Sequence, residues 1–359
     1  MVLAMAMHAR TQDDFFPGGR AHVGSVTLPT ALAMADEVGD RLLDCLLVGY
    51  RSMCLAARPY AGEAQRRGYR PTGFFGPFGA AATAAAASQS TGEELTNCLG
   101  LAAVMTAGTN QAWLAGSDEW LVEVGMAARS GIDAIALSRA GARAADDALE
   151  GDAGWAHAFF HDAGAVRLDA SLGLLLSLAT EMAVKPYPIS GIAQVPAYLA
   201  CAAHREIDGA TPIRVVVRMS VAEADYPGSR NRGPFAGRGQ ALMSVAHCVA
   251  VGLADGRIDL ARLEDPTGLS ALTDRVEVVA DSSLEDMQVA MTITAPDGRE
   301  NTSTASGRDL LFPSWHQVDP SDVAHRSEAE PGLVLAAHTE LSRDRPDARV
   351  LRDLLIGAL

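Results

Sequence analysis

Residues 28–57, LPTALAMADEVGDRLLDCLLVGYRSMCLAA, carry apolar side chains at three- and four-residue spacing, the period of a helix with one buried face. Pro29 stands where a helix start accommodates it. The same reading extends downstream. AAATAAAA (80–87) is a strong helix former whose small side chains permit close helix packing, and ELTNCLGLAAVMTAG (94–108), MAARSGIDAIALSRAG (126–141) and SLGLLLSLATEMAV (171–184) read as further core helices ending near Gly or Pro. No strand is predicted before Lys185.

The pattern changes at KPYPISG (185–191). VPAYLACAAHRE (195–206) reads as a helix and IRVVVRMS (213–220) as a strand rich in β-branched residues. A helix around Leu242 to Leu253 follows, then RVEVVADSS (275–283) and a hairpin over MQVAMTITAPDGRENTSTAS (287–306), turning at Pro296-Asp297-Gly298. Beyond Trp315 the chain is charged and helical again, ending in ARVLRDLLIGAL. The expected fold is mainly α: a large helical domain of residues 1–185, to which 314–359 return, with a smaller α+β domain of residues 186–313 inserted.

Composition narrows the function classes. The chain has 359 residues, with 29 Lys+Arg against 44 Asp+Glu, a balance of −15, and a pI near 5.0. Nucleic acid and anionic membrane, which need a basic field, are poor partners for it. At 48 % hydrophobic and 20 % charged it has the material for a real core. No apolar run reaches membrane-spanning length, and MVLAMAMHAR running into TQDD makes a poor secretory signal. Five dispersed cysteines, Cys45, Cys54, Cys98, Cys201 and Cys248, read as buried thiols in a reducing cytoplasm. A small-molecule partner is expected.

GxSxG, GxxxxGK[ST], GxGxxG and CxxC are all absent. His157 with His161, and Cys201 with His204, lack the further ligands that a metal site needs. Four clusters remain. TQDDFFPGGRAHVGS (11–25) crowds Asp13, Asp14, Arg20 and His22 into one Gly/Pro loop. RRGYRPTGFFGPFGAAA (66–82) reads either as a glycine-rich anion loop, with Tyr69 and Arg70 at the N-terminus of the Ala helix, or as a tight turn with Phe74, Phe75 and Phe78 in the core. Lys185-Pro-Tyr-Pro fixes a Lys and Tyr187 at the expected domain junction, and reads either as a partly desolvated pocket lysine, a base or carboxylate clamp, or as the commoner exposed linker lysine. SRNRGPFAGRGQ (229–240) offers Arg230, Arg232 and Arg238 as an anion-gathering flap or a solvated loop.

Taken in order, HARTQDD…AHVGSVTLPTALAMAD, RGYRPTGFFGPFGAAA, GMAARSGIDAIALSRAG with DALEGDAGW, the KPYP junction and LADGRID…LEDP…DRVEVVAD resemble the MmgE/PrpD family, which includes 2-methylcitrate dehydratase, cis-aconitate decarboxylase and iminodisuccinate epimerase. The resemblance implies a helical domain with an inserted α+β lid, a homodimer, and a cofactor-free site between the domains. It implies proton abstraction next to a carboxylate, followed by loss of water, loss of CO2 or reprotonation. His22 falls on the family's loop histidine, Asp13 and Asp14 lie in its acidic loop, and Lys185 falls on its junction lysine.

Departures accompany the match. Arg70 stands where the family commonly has His, Trp120 or a neighbour where it has Lys, and Thr11 where it has Asp. Gln194 is nearest to a usual His-containing run, and His247 falls near a position often held by Tyr. Relatives also carry further N-terminal helices before the point where Met1 begins, so an apolar surface is expected to be bare there or covered by a dimer. The expected activity is a dehydratase-type lyase on a small organic acid. Lys185 or His22 moves the proton, Asp13 or Asp14 orients the histidine, and Tyr69 or Tyr187 serves as auxiliary acid. Arg70, Arg20, Tyr187 and His247 belong to substrate binding. An epimerase on the same scaffold and a non-catalytic binding protein are the alternatives.

Overall fold

The computed structural model describes residues 1–161, 181–207, 211–312, 321 and 329–357. It is mainly helical, and its longer helices are α1 (Val2–Ala9), α2 (Gly24–Ala33), α3 (Leu42–Ala57), α4 (Pro71–Ala87), α5 (Gly92–Ala103), α6 (Glu119–Arg139), α7 (Gln194–Ile207), α8 (Val245–Asp255), α9 (Pro331–Leu341) and α10 (Ala348–Gly357). Strands β1 (Asp14–Phe15) and β2 (Ala183–Val184) form one small pair. Strands β3 (Arg214–Met219), β4 (Val276–Ala280), β5 (Gln288–Thr294) and β6 (Glu300–Ser306) form a sheet in the order β4-β3-β5-β6. No helix among the described residues is long and apolar enough to cross a membrane.

Two large apolar cores organise these elements. The first is helical. Phe74, Phe75 and Phe78 on α4 pack with Leu42, Met53 and Cys54 on α3, Cys98 on α5, and Trp155 and Phe160. Small residues set the approach of the helix axes. A side chain at Gly131 on α6 would overlap the carbonyl carbon of Ala80 on α4 and lie 2.5 Å from that residue's Cβ and O. A side chain at Gly79 on α4 would lie 2.9 Å from Met53 Cβ on α3. The Ala run therefore does more than favour helix: it lets two neighbouring helices close on α4. C-terminal α10 returns to this core through Ala348 and Leu351, with Ala348 N–H donating to Gly39 O at 2.9 Å.

In the second core, α7 and α8 cover one face of the sheet. Val215, Val217 and Met219 on β3, and Val289, Met291 and Ile293 on β5, alternate inward, as a half-buried sheet demands. β3 pairs parallel with β4 and antiparallel with β5, and the β5–β6 hairpin turns through Gly298 at φ 83°. Edge strand β6, ENTSTAS, stays polar and largely exposed, which suits an unpaired edge.

Several local expectations need correction. Residues 28–57 form three helices, with the short Ala35–Val38 between α2 and α3, because Gly39 at φ 56° breaks the run. Pro29 lies inside α2, which already begins at Gly24. The glycine-rich stretch after Arg70 is helix from Pro71 onward, so the turn-and-core reading of the phenylalanines comes closer than the anion loop. The helix around Leu242 is two, Arg238–Met243 and α8, separated at Ser244. Strands do occur before Lys185: β1 and β2 are too short for periodicity to reveal. Residues 171–180 of the SLGLLLSLATEMAV helix, the Pro313 boundary and Trp315 lie outside the described residues.

Gly131→Ala is expected to destabilise the helical core by about 3 kcal/mol or more, because the added methyl meets backbone rather than a yielding side chain. Chemical denaturation would register this as a lower midpoint at an unchanged slope.

Candidate active site

Antiparallel pairing of β1 with β2 sets Asp14 against Val184 and Phe15 against Ala183. The next step along this register brings residue 13 beside residue 185, and Lys185 Nζ lies 2.6 Å from Asp13 Oδ1. Gln12 Nε2 reinforces the junction by donating to Pro186 O at 2.7 Å. The acidic loop and the junction lysine, distant in sequence, are thus joined by backbone.

Asp13 gathers two imidazoles as well. His8, from the end of α1, places Nδ1 2.5 Å from Asp13 Oδ2, and Arg70 Nη2 donates to His8 Nε2 at 2.7 Å. A guanidinium only donates, so His8 Nε2 holds a lone pair, its proton sits on Nδ1 facing Asp13, and the ring is neutral. Burial pushes the His8 pKa down to about 3, against the pull of Asp13. His22 places Nδ1 3.2 Å from Asp13 Oδ1 and 3.1 Å from Asp14 O, both acceptors, so Nδ1 carries its proton too. Its Nε2 has no hydrogen-bond partner among the described residues. Burial lowers the pKa of His22 and of Lys185, while Asp13 opposes both shifts. With two imidazoles and an ammonium around it, the Asp13 carboxyl is held well below the usual carboxylate range, although burial works the other way.

Arg70 occupies the N-cap position of α4 and is buried. Beyond His8 it donates to the Trp120 carbonyl, lies 3.3 Å from Glu123 Oε2, and stacks over the Trp113 ring at 5.1 Å. Thr72, in the first turn of α4, accepts from His22 N–H at 3.0 Å and fixes the loop above it.

These groups face a small cavity of about 100 Å3. His8, His22, Arg70, Thr72 and Lys185 line one side. Glu223, Tyr226, Asp286 and Met287 come from the sheet-bearing unit, and Arg20 lines the cavity while donating to Asp286 Oδ2 at 2.9 Å. The size suits a small organic acid rather than a nucleotide. His8, Asp13 and His22 present atoms close enough together to hold a cation. Lys185 Nζ already sits on one of those oxygens, however, and Arg70 on the outer His8 nitrogen, so the donor set does not fit a metal ion.

Of the residues expected at the site, His22, Lys185, Arg70 and Arg20 line the cavity and Asp13 stands directly behind it. The structure places the others elsewhere. Asp14 turns away, accepting from Tyr50 OH at 2.7 Å and Gly24 N–H at 3.0 Å, with its pKa raised by burial to about 6. The Tyr69 ring packs on Phe74 at 4.6 Å in the helical core. Tyr187 packs against the second core, and His247 is buried there between Thr273, the Arg262 carbonyl and the Phe235 ring. Gln194 is buried and holds the KPYP turn by donating to the Tyr187 and Ile189 carbonyls. The arginines of residues 229–240 are tied down, Arg230 to Asp225 and Arg238 to the Ala9 carbonyl, and none lines this cavity. Sequence reasoning passed over His8, Trp113, Glu223, Tyr226 and Asp286. Only His8 left a signal, its place five residues before Asp13 at the end of an apolar helix.

A histidine whose folded pKa lies below its unfolded value costs stability as pH falls. The contribution of His8 is fully present above pH 6.5 and is lost progressively from there down to about 3. His8→Asn should flatten the fall of unfolding free energy across that window by up to about 1.4 kcal/mol per pH unit, as measured by denaturant titration at each pH.

Residues 1–167 match the family model described as the MmgE/PrpD N-terminal domain. No curated protein matches the chain. The matched segment carries His8, Asp13, His22 and Arg70, and it assigns residues 1–167 to the MmgE/PrpD family.

Proposed function

We propose that this protein is a lyase of the dehydratase type that removes a proton next to the carboxylate of a small organic acid, without a cofactor. The observation that carries this reading is His22: a neutral imidazole with Nδ1–H donated to the Asp14 carbonyl, Asp13 Oδ1 3.2 Å away and Nε2 open, beside a cavity that Lys185 and Arg70 also line. A general base needs a lone pair at the reacting carbon and a fixed tautomer, and this arrangement supplies both. Lys185 keeps its proton because Asp13 lies 2.6 Å away, so it serves as a cation rather than as the base. With Arg70 it holds the substrate carboxylate and stabilises the charge that spreads onto it as the carbon proton leaves. Asp13 orients both His22 and Lys185, and His8 positions Arg70.

Family membership supports the reaction class, since the family includes hydro-lyases such as 2-methylcitrate dehydratase. In this reading the sheet-bearing unit, residues 186–313, serves as a lid over the helical unit, and the protein works as a homodimer.

The test is one-dimensional proton NMR in D2O with a panel of hydroxy-, keto- and aminocarboxylates. Wild-type protein should exchange or eliminate, and His22→Ala should slow either event by about 100-fold or more. Lys185→Ala should raise KM as well as lower kcat. The acid limb of kcat/KM should lie below pH 6.5, because burial lowers the His22 pKa and the base works only when neutral. Full turnover by His22→Ala would defeat the reading. Exchange without any elimination would favour an epimerase.

A further inference from the structure

Glu223 belongs to no cluster that the sequence marks out, yet it lines the same cavity. It sits on the short helix Val221–Ala224, whose N-cap Ser220 accepts from Glu223 N–H, and it is 7 % exposed. Its Oε2 accepts from Met287 N–H at 3.0 Å. Ser220 Oγ lies 3.4 Å from that oxygen, but the single Ser220 hydroxyl proton is directed to Asp286 Oδ1 at 2.5 Å. The neighbouring cation, Arg20, is bound to Asp286 instead. Oε1 receives no hydrogen bond from any described residue. A buried carboxyl with one donor, an unpartnered oxygen and a second carboxylate nearby favours its protonated form.

We propose that Glu223 is the acid that protonates the departing oxygen, so that the substrate is a carboxylate bearing a hydroxyl on the carbon next to the one that loses its proton. This rests on the lyase reading above. His22 Nε2 takes the proton from the carbon beside the carboxylate held by Lys185 and Arg70. The electron pair left behind forms the carbon–carbon double bond as the carbon–oxygen bond breaks. The departing oxygen takes the Glu223 proton and leaves as water. Glu223 regains a proton from solvent, and His22 returns its own. The charges fit this division: burial and Asp286 raise the Glu223 pKa to about 7 despite Arg20, leaving a group able to donate near neutrality. An acid and a base lining one cavity is what an elimination requires.

Glu223→Gln keeps the shape and an acceptor for Met287 N–H but has no acidic proton, whereas Glu223→Leu removes the polar contact as well. Both would be compared with wild type by proton NMR in D2O, with 3-hydroxybutyrate, malate, citramalate and citrate as probes and thermal unfolding as the check on folding. The expected result is elimination slowed by about 100-fold or more in Glu223→Gln, with exchange of the carbon-bound proton near the wild-type rate and KM little changed. Glu223→Leu should raise KM too. Elimination by Glu223→Gln at the wild-type rate, or equal loss of exchange and elimination, would overturn the assignment of Glu223 and leave the lyase reading standing. No exchange and no elimination by wild type with any probe, or exchange alone, would overturn both.

Discussion

Everything at the candidate site depends on one buried carboxylate. Asp13 stands against an ammonium and two imidazoles drawn from three places in the chain, and each restrains the others. A buried charge that loses its partner costs about 3–5 kcal/mol, so the loop after α1, the segment before α2 and the junction at residue 185 are obliged to meet. The β1–β2 pairing makes that meeting a backbone matter and leaves the side chains little freedom. The same constraint sets the chemistry. The Asp14 carbonyl, with Asp13 beside it, holds the proton of His22 on Nδ1, which leaves Nε2 available, and Asp13 opposes the fall in the Lys185 pKa that burial causes.

The rest of the helical unit stiffens this arrangement. Small residues on α4 allow α3 and α6 to close on it, which holds its first turn, with Arg70 and Thr72, against the loop that bears His22. The Trp113 ring, the Trp120 carbonyl and His8 Nε2 fix the directions of the Arg70 guanidinium before any substrate arrives. The sheet-bearing unit is attached by polar contacts: Arg20 with Asp286, Tyr226 OH with Asn110 Oδ1, and Gln65 Nε2 with the Ala222 carbonyl. The site thus combines a cationic side with residues that present carboxyl groups.

Much of this was legible in the residues. Helical periodicity gives most of the helices, β-branched alternation gives β3 to β5, and the loop of residues 11–25 announces Asp13 and His22 by crowding. Elsewhere local pattern misled for identifiable reasons. Tyr69 adjoins Arg70, but in the extended backbone ahead of α4 successive side chains point to opposite sides, one into the aromatic core and the other towards the cavity. His247 and Tyr187 have the right chemistry, yet the packing of the second core claims them. Glu223 lies in an ordinary SVAEAD segment, and nothing in its neighbours hints that Met287 and Asp286, more than sixty residues later, will enclose it.

The sequence by itself determined most of the elements, the two kinds of core and the chemical types available, because propensity, periodicity and side-chain chemistry are local properties. Tertiary structure decided which of those groups share a cavity and in what protonation state. Both depend on burial and on partners that arrive from far along the chain: Gln12 meets Pro186 across 174 positions. Asp13 without Lys185 is an acidic loop residue, and Arg70 without His8 is a helix cap. Their convergence in one small pocket is what lowers the pKa of His22 and of Lys185 and raises that of Glu223 through burial.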